Sequence, residues 1–456
     1  MAETTLAKQK YDLKYMAKLS WPVFIEYGLS ALVGFADTVM VSGTGSASVS
    51  AVGLVDSINM AFLMIYNAIA TGTTVIVAQA YGAGDKKTVF RAVGQSLLFG
   101  FMIMVVLGGL VFGFRGAIFG FLYPEVEKAV TDIALTYMAI TVCSYPLMAI
   151  FSNLAGAMRG IGKTRSVMIA SLAINVVNVG LNALFIYVLE FGAAGAAIAT
   201  VCGRAVGCVM LAVQARKLWG KGVFAPKNMV LSKDILKRIM TISIPSGLDT
   251  ALFQAGKIIV SVFIGTMSTA LISANTIACS LFGMVCIPGN ALAVTGVTMT
   301  GQAWGAGLHR QARTNLLKCC LISVGMLFIL SAILWFPAPY IISLYKPEPD
   351  AVDESVRLLR TLLIMIPVAW PTAFCSASGL RAADCVKFVT VVSIVSMWVF
   401  RVGFAWFLGM KLGWGPFGVF LAMGLDWVCR SAFYMPKILF AKKLRKDPEK
   451  APVTAE

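Results

Sequence analysis

Three observations predict an all-α polytopic membrane protein with twelve transmembrane helices in two parallel-repeat six-helix bundles: the composition, a series of long apolar runs, and an internal repeat. Of the 456 residues, 59% are hydrophobic and 13% charged, and the mean hydropathy is +0.83. Too few polar side chains remain to cover a soluble globule, so the bilayer is the expected solvent. Twelve apolar runs lie near residues 20–41, 50–78, 92–114, 130–156, 166–188, 192–214, 239–263, 270–302, 317–337, 358–380, 388–410 and 414–436. Each is long enough for a hydrocarbon core that takes ~20 helical residues. None alternates polar and apolar with period two, which excludes barrel strands and leaves helices as the spanning element. Residues 1–19 are polar and basic, with Lys8, Lys10, Lys14 and Lys18. The apolar run beyond them continues as a full span, so no cleavable leader is expected.

The repeat is carried by Gln79-Ala-Tyr-Gly-Ala-Gly84 and Gln302-Ala-Trp-Gly-Ala-Gly307, 223 residues apart, each closing an apolar run before a basic stretch. Ala157-Met-Arg159 and Gly379-Leu-Arg381 match at nearly the same interval, as do Gly28-Leu29 and Gly247-Leu248. This places an amino-terminal six-helix lobe at 1–220, a basic linker at 221–233 and a carboxyl-terminal lobe at 234–456. Six spans per half is an even number, so both halves enter from one side and the repeat is parallel. Two parallel bundles are a recurring transporter plan, in which rocking exposes a central cavity to alternate sides.

A net charge of +17 would suggest nucleic acid in a soluble protein, but the basic residues alternate with the spans. With both ends in the cytoplasm, 28 of the 38 fall on the inner side and 6 outside. Positive charge beside spans dictates orientation, so both termini are expected in the cytoplasm of a plasma (inner) membrane protein. Anionic lipid is the partner that the charge implies, besides a small organic substrate; no nucleic acid is expected, and the chain is expected to act as a monomer. The ten cysteines form no CxxC pair and His309 is the sole histidine, so no metal or cofactor is expected. Neither a His–carboxylate cluster nor a GxxxxGK[ST] loop occurs, which argues against an enzyme and against a primary pump.

The run Phe35-Ala-Asp-Thr-Val-Met-Val-Ser-Gly43, the Gln79–Gly84 motif, Arg159-Gly160, and Asn178 with Asn182 ahead of Gly192-Ala-Ala-Gly-Ala-Ala-Ile-Ala-Thr200 together resemble the multidrug and toxic compound extrusion family. The resemblance runs along all twelve spans and is nearer to the prokaryotic branch related to DNA-damage-inducible protein F than to the norfloxacin-resistance pumps. It implies two six-helix lobes that exchange H⁺ or Na⁺ for an amphiphilic, usually cationic, organic compound. It also implies an ion-responsive group in the amino-terminal lobe at Asp37, Asn178 and Thr200. Asn182 stands where the family often has a second aspartate, and Gln254 where the other branch has an acid.

Physical chemistry singles out the same acids. A carboxylate near mid-span costs ~3 kcal/mol on insertion scales and normally has a task. Desolvation and polar partners together set where such an acid titrates, so Asp37 is a candidate for reversible protonation or, alternatively, a hydrogen-bond anchor. Asn178 and Asn182 share a helix face and could hold a carboxylate or supply oxygens to Na⁺. Pro22 removes a backbone hydrogen bond and can kink the first helix as a gating element. Glu26 falls on the same stripe as Asp37, either on a proton path or solvated at the helix end. Asp56 and Asp249 are further acids that could meet substrate, whereas Asp426 and Arg430, four apart, are expected to neutralise each other. Arg204, Lys257 and Arg401 can snorkel or pair with carbonyls, and no role follows from sequence. A flippase of large anionic lipid-linked substrates is the alternative reading, disfavoured by so few cavity cations.

Overall fold

The computed structural model describes residues 12–220, 222–345, 348–441 and 444. Lys8, Lys10, Lys221, Lys346 and the basic residues beyond Ala441 lie outside them. Among the described residues the regular elements are all helical. We number them α1 (Leu13–Ser42), α2 (Ser46–Gly82), α3 (Lys86–Leu122), α4 (Lys128–Val142), α5 (Tyr145–Gly160), α6 (Thr164–Asn182), α7 (Gly192–Trp219) and the short α8 (Pro226–Met229). The second half holds α9 (Lys233–Gly265), α10 (Thr269–Val285), α11 (Ile287–Gly305), α12 (His309–Trp335), the short α13 (Ala338–Ser343), α14 (Pro349–Ala382), α15 (Val386–Ser396) and α16 (Gly415–Phe440).

Among the described residues nine spans pass by length and hydropathy, and eleven when two bent pairs, α4 with α5 and α10 with α11, count as one span each. Each pair bends by 45°. The twelfth apolar run forms α16, which carries the buried Asp426 and Arg430. The bends fall in different spans of the two halves: the fourth span is broken in the first half, while its counterpart α14 runs through Pro367 and Pro371 unbroken. Both α6 and α15 end in π-helical turns, Ala183–Val188 in one and Met397–Gly403 with Ala405–Lys411 in the other. Such turns widen the helix locally and recur at functional sites.

The chain divides into two compact units. The amino-terminal unit holds Ile25–Tyr81 and Asp85–Gly247. Its core gathers Val55, Met104, Ala134, Met138, Ala149 and Ala197. Lipid gives helices no hydrophobic reason to associate, so close packing of small residues does that work. Gly156 and Gly160 on α5 meet α2 in this way: a Cβ at Gly156 would lie 2.7 Å from the Ala70 carbonyl oxygen, and one at Gly160 would lie 2.9 Å from that of Thr74. The carboxyl-terminal unit takes the chain up to Phe24, Gly82–Gly84 and the chain from Leu248. Its core joins Met16 and Leu19 of α1 to Leu316, Leu358, Leu362, Ile366, Trp427 and Tyr434. The unit boundary therefore cuts α1 two residues past Pro22 and α9 two residues past Pro245, one repeat interval later. Outward faces are apolar, as on α3 with Val106 and Phe114 and on α12 with Leu321, Phe328 and Ile333, which suits helices bathed in lipid.

Candidate functional site

The amino-terminal unit encloses a polar cavity of about 430 Å³ between α1, α2, α4, α6 and α7. Asp37, Asp56, Tyr137, Asn178, Asn182, Thr200 and Arg204 line it, together with apolar residues such as Val41 and Ile174. All five helices contribute polar groups from within spans, where lipid would reject them, so the cavity is where those groups are tolerated.

Asp37 is half-buried on the cavity wall. Asn182 Nδ2 donates to Asp37 Oδ1 at 2.8 Å. With its amide oriented to satisfy both ends, Asn178 Nδ2 donates to Asp37 Oδ1 at 2.8 Å and Oδ2 at 3.1 Å, and Asn178 Oδ1 accepts from Thr200 Oγ1 at 3.2 Å. Asn178 and Asn182 sit one helical turn apart, as their spacing predicts, and Asn182 is the last α-helical residue before the π-helical turn. Among the described residues, the buried Asn182 Oδ1 has no hydrogen-bond partner. On the second helix, Asp56 Oδ1 accepts from Asn59 Nδ2 at 3.1 Å, and Asn59 Oδ1 accepts from the Tyr145 hydroxyl at 2.7 Å. Arg204 Nη1 donates to Ser144 Oγ. One carboxylate with converging amide donors can bind and release a proton, or hold a small cation with the remaining oxygens.

The fold thus brings together Asp37, Asn178, Asn182, Thr200 and Asp56. Pro22 lies buried fifteen residues before Asp37 on α1, away from the cavity wall. Glu26 shares α1 with Asp37 but is neither solvated nor on the cavity wall. It is buried, and its Oε1 accepts from Arg159 Nη2 at 2.6 Å and Ser171 Oγ at 3.0 Å. Asp249 forms the same arrangement in the other unit, paired with Arg381. Arg159 and Arg381, counted in sequence as inner-loop charges, are instead the basic residues of the last turns of α5 and α14. Both acids lie mid-helix, where the guanidinium at a neighbouring helix end matches them in place of water. Gln254 belongs to the carboxyl-terminal unit and does not line the cavity. Asp426 and Arg430 form the expected pair, Nε to Oδ1 at 2.8 Å, with Ser396 Oγ donating to the same oxygen at 2.7 Å. Sequence reasoning missed Tyr137 and the place of Arg204 on the wall. The signal for Arg204 was its mid-span charge.

A duplicated, multi-pass helical chain with a polar cavity enclosed between spans is a membrane transporter by architecture. A family model matches it twice, over residues 22–184 and 245–407, and the chain belongs to that family, MatE. The two matches are offset by the interval of the glycine motif. The chain is similar to an uncharacterized transporter, YisQ, of Bacillus subtilis, 24% identical with 93% of this chain and 94% of that protein covered. It is also 24% identical to a probable multidrug resistance protein, NorM, of Acinetobacter baylyi, over 92% of this chain and 94% of that one. A solved outward-facing multidrug resistance MATE transporter superposes with a TM-score of 0.86 at 21% identity, covering 93% of this chain and 95% of the other.

Proposed function

We propose that this chain is a proton-driven exporter of amphiphilic organic compounds, in which Asp37 exchanges the coupling proton as the two lobes rock. The observation that carries this reading is the Asp37 carboxylate held by the amide nitrogens of Asn178 and Asn182 on the wall of an intramembrane cavity. One carboxylate is enough for a proton, whereas Na⁺ asks for several oxygens and compensating charge. Here the amides turn N–H groups toward the carboxylate. Protonation removes the charge that those donors hold, which releases α1 to bend near Pro22 and biases one state of the carrier. The names of the NorM relatives support multidrug efflux, and the acids of the cavity suit a substrate with a cationic group. The basic residues of the inner loops support a plasma-membrane protein with both termini in the cytoplasm.

Asn182 Oδ1, buried without a partner, favours Na⁺ as the second reading, because it is an oxygen free to ligate. Substrate counterflow in proteoliposomes with pH and Na⁺ gradients imposed separately decides between them. Efflux should follow the pH gradient at zero Na⁺. Efflux that needs Na⁺ and survives collapse of the pH gradient would overturn the proton assignment.

A further inference from the structure

The repeat lets each residue of the cavity be compared with its partner in the other unit. At the interval of 223, Asp37 corresponds to Val260, Asn178 to Arg401, Asn182 to Ala405, Thr200 to Met423 and the wall residue Gly34 to Lys257. Val260 and Ala405 are buried in one apolar cluster, so the carboxylate and one amide are gone. The contact between the other two partners persists in altered form. Asn178 touches Thr200, and Arg401 Nη2 stands 3.1 Å from Met423 Sδ. A cation has replaced an amide at the same place in the repeat.

Arg401 is poorly satisfied there. Its side chain is 11% exposed, a thioether is a weak acceptor, and its ion pair with Asp426 is long, Nη1 to Oδ2 at 4.0 Å. Asp426 is already matched by Arg430 and Ser396. The Arg401 guanidinium lies over the Phe253 ring at 5.2 Å, and Arg430 lies over Phe253 and Phe374, each at 5.6 Å. Lys257 is one turn beyond Phe253 on α9, within electrostatic reach of Arg401, and has no acidic partner among the described residues. It sits eight residues from the end of α9, about 12 Å along the axis, and its side chain is exposed. Of the four charged side chains Lys257, Arg401, Asp426 and Arg430, three are positive. One carboxylate shared by Arg430 and Arg401 leaves two positive charges in excess inside a span, a standing penalty that an anion would relieve.

We propose that the carboxyl-terminal unit carries an anion-binding counterpart of the Asp37 cavity, in which Lys257 and Arg401 receive the carboxylate of an aromatic amphiphile whose ring system packs beside Phe253. This deepens and rests on the export reading: the substrate class becomes acid-bearing aromatic amphiphiles, zwitterions included. The carboxylate accepts from both cations, and no bond is made or broken.

The test uses the full chain in lipid nanodiscs at neutral pH without a gradient, with empty discs as blank. Three probes share one aromatic body: 2-naphthylacetate, its neutral amide, and 2-naphthylethylamine. Titration calorimetry should show the acid binding about tenfold or more tighter than the amide, with the amine weaker still. Lys257→Gln and Arg401→Gln should each bring acid and amide to within about twofold of one another. Should Arg401→Gln fail to fold, Lys257→Gln and the wild-type ranking remain decisive. Equal binding of acid and amide by the wild type, an unaltered ratio in Lys257→Gln, or displacement of the acid by equimolar acetate or chloride would overturn the proposal. Proton-driven export of the amine with no preference for the acid would overturn it while sparing the export reading. Selective acid binding without gradient-driven export in vesicles would do the reverse.

Discussion

Replacing Asp37 with asparagine keeps the size and polarity of the side chain and removes its titratable charge. Three amide contacts from Asn178 and Asn182 now meet two carboxylate oxygens. An amide offers one oxygen, so at least one contact is lost, and a hydrogen bond to a charged group is worth about 1.5–3 kcal/mol. A loss of that size from one half-buried site should leave a chain with two extensive cores folded. The functional effect is larger. If one proton exchanges for one substrate molecule, a gradient of one pH unit supplies about 1.4 kcal/mol and sustains about a tenfold substrate gradient. Without a group that takes up the proton, that ratio should fall to about one, while substrate still binds. The assay is accumulation of a fluorescent organic cation in everted vesicles or proteoliposomes at fixed membrane potential, with expression and binding measured in parallel. A variant that still holds the tenfold ratio would refute the assignment of the coupling proton to Asp37.

Asn182→Asp restores a second carboxylate beside the first, and transport should then gain a Na⁺ requirement; export that remains indifferent to Na⁺ would count against the single-carboxylate argument. Glu26→Gln leaves the part-buried Arg159 without its carboxylate, a change that costs about 3–5 kcal/mol where a pair is fully buried, so thermal stability in detergent should drop. The Glu26→Gln/Arg159→Gln double variant should recover part of that loss with coupling intact, and a stable but uncoupled single variant would return Glu26 to the proton path. Lys227→Cys, in a background without the exposed Cys143 and Cys279, should react with a membrane-impermeant maleimide only after cells are opened. Labelling of intact cells would invert the orientation.

Fold class was legible because the bilayer imposes it: no soluble packing tolerates this composition, and a repeated glycine motif at a fixed interval exposes the duplication. The polar cluster was legible for the same reason, since each of its members is expensive in lipid. What escaped were properties that depend on angles between helices. The 45° bends at Cys143-Ser144 and Cys286 leave hydropathy and length unchanged, and their signal is the proline just past each break, Pro146 and Pro288 at the starts of α5 and α11. Glu26 and Asp37 do share a stripe, but α1 passes from one packing environment to another between them, so one acid meets a guanidinium and the other a cavity.

The two buried ion pairs show how far a repeat can carry the argument. Pro22 and Glu26 recur as Pro245 and Asp249 at the interval of 223, and Arg159 recurs as Arg381 one residue short of it. In each half the acid one turn beyond the proline pairs with the arginine in the last turn of another helix of the same unit. A proline deletes a backbone hydrogen bond and leaves a helix free to bend, while an ion pair one turn later fixes the segment beyond it. The combination confines bending to the proline and keeps the far segment in register with its unit. Because the pairs are duplicated and the Asp37 site is not, the pairs belong to the architecture that both halves share. The asymmetric residues, Asp37 with its amides on one side and Lys257 with Arg401 on the other, are where the halves have diverged, and divergence within a duplicated frame is where chemistry specific to this chain should be sought.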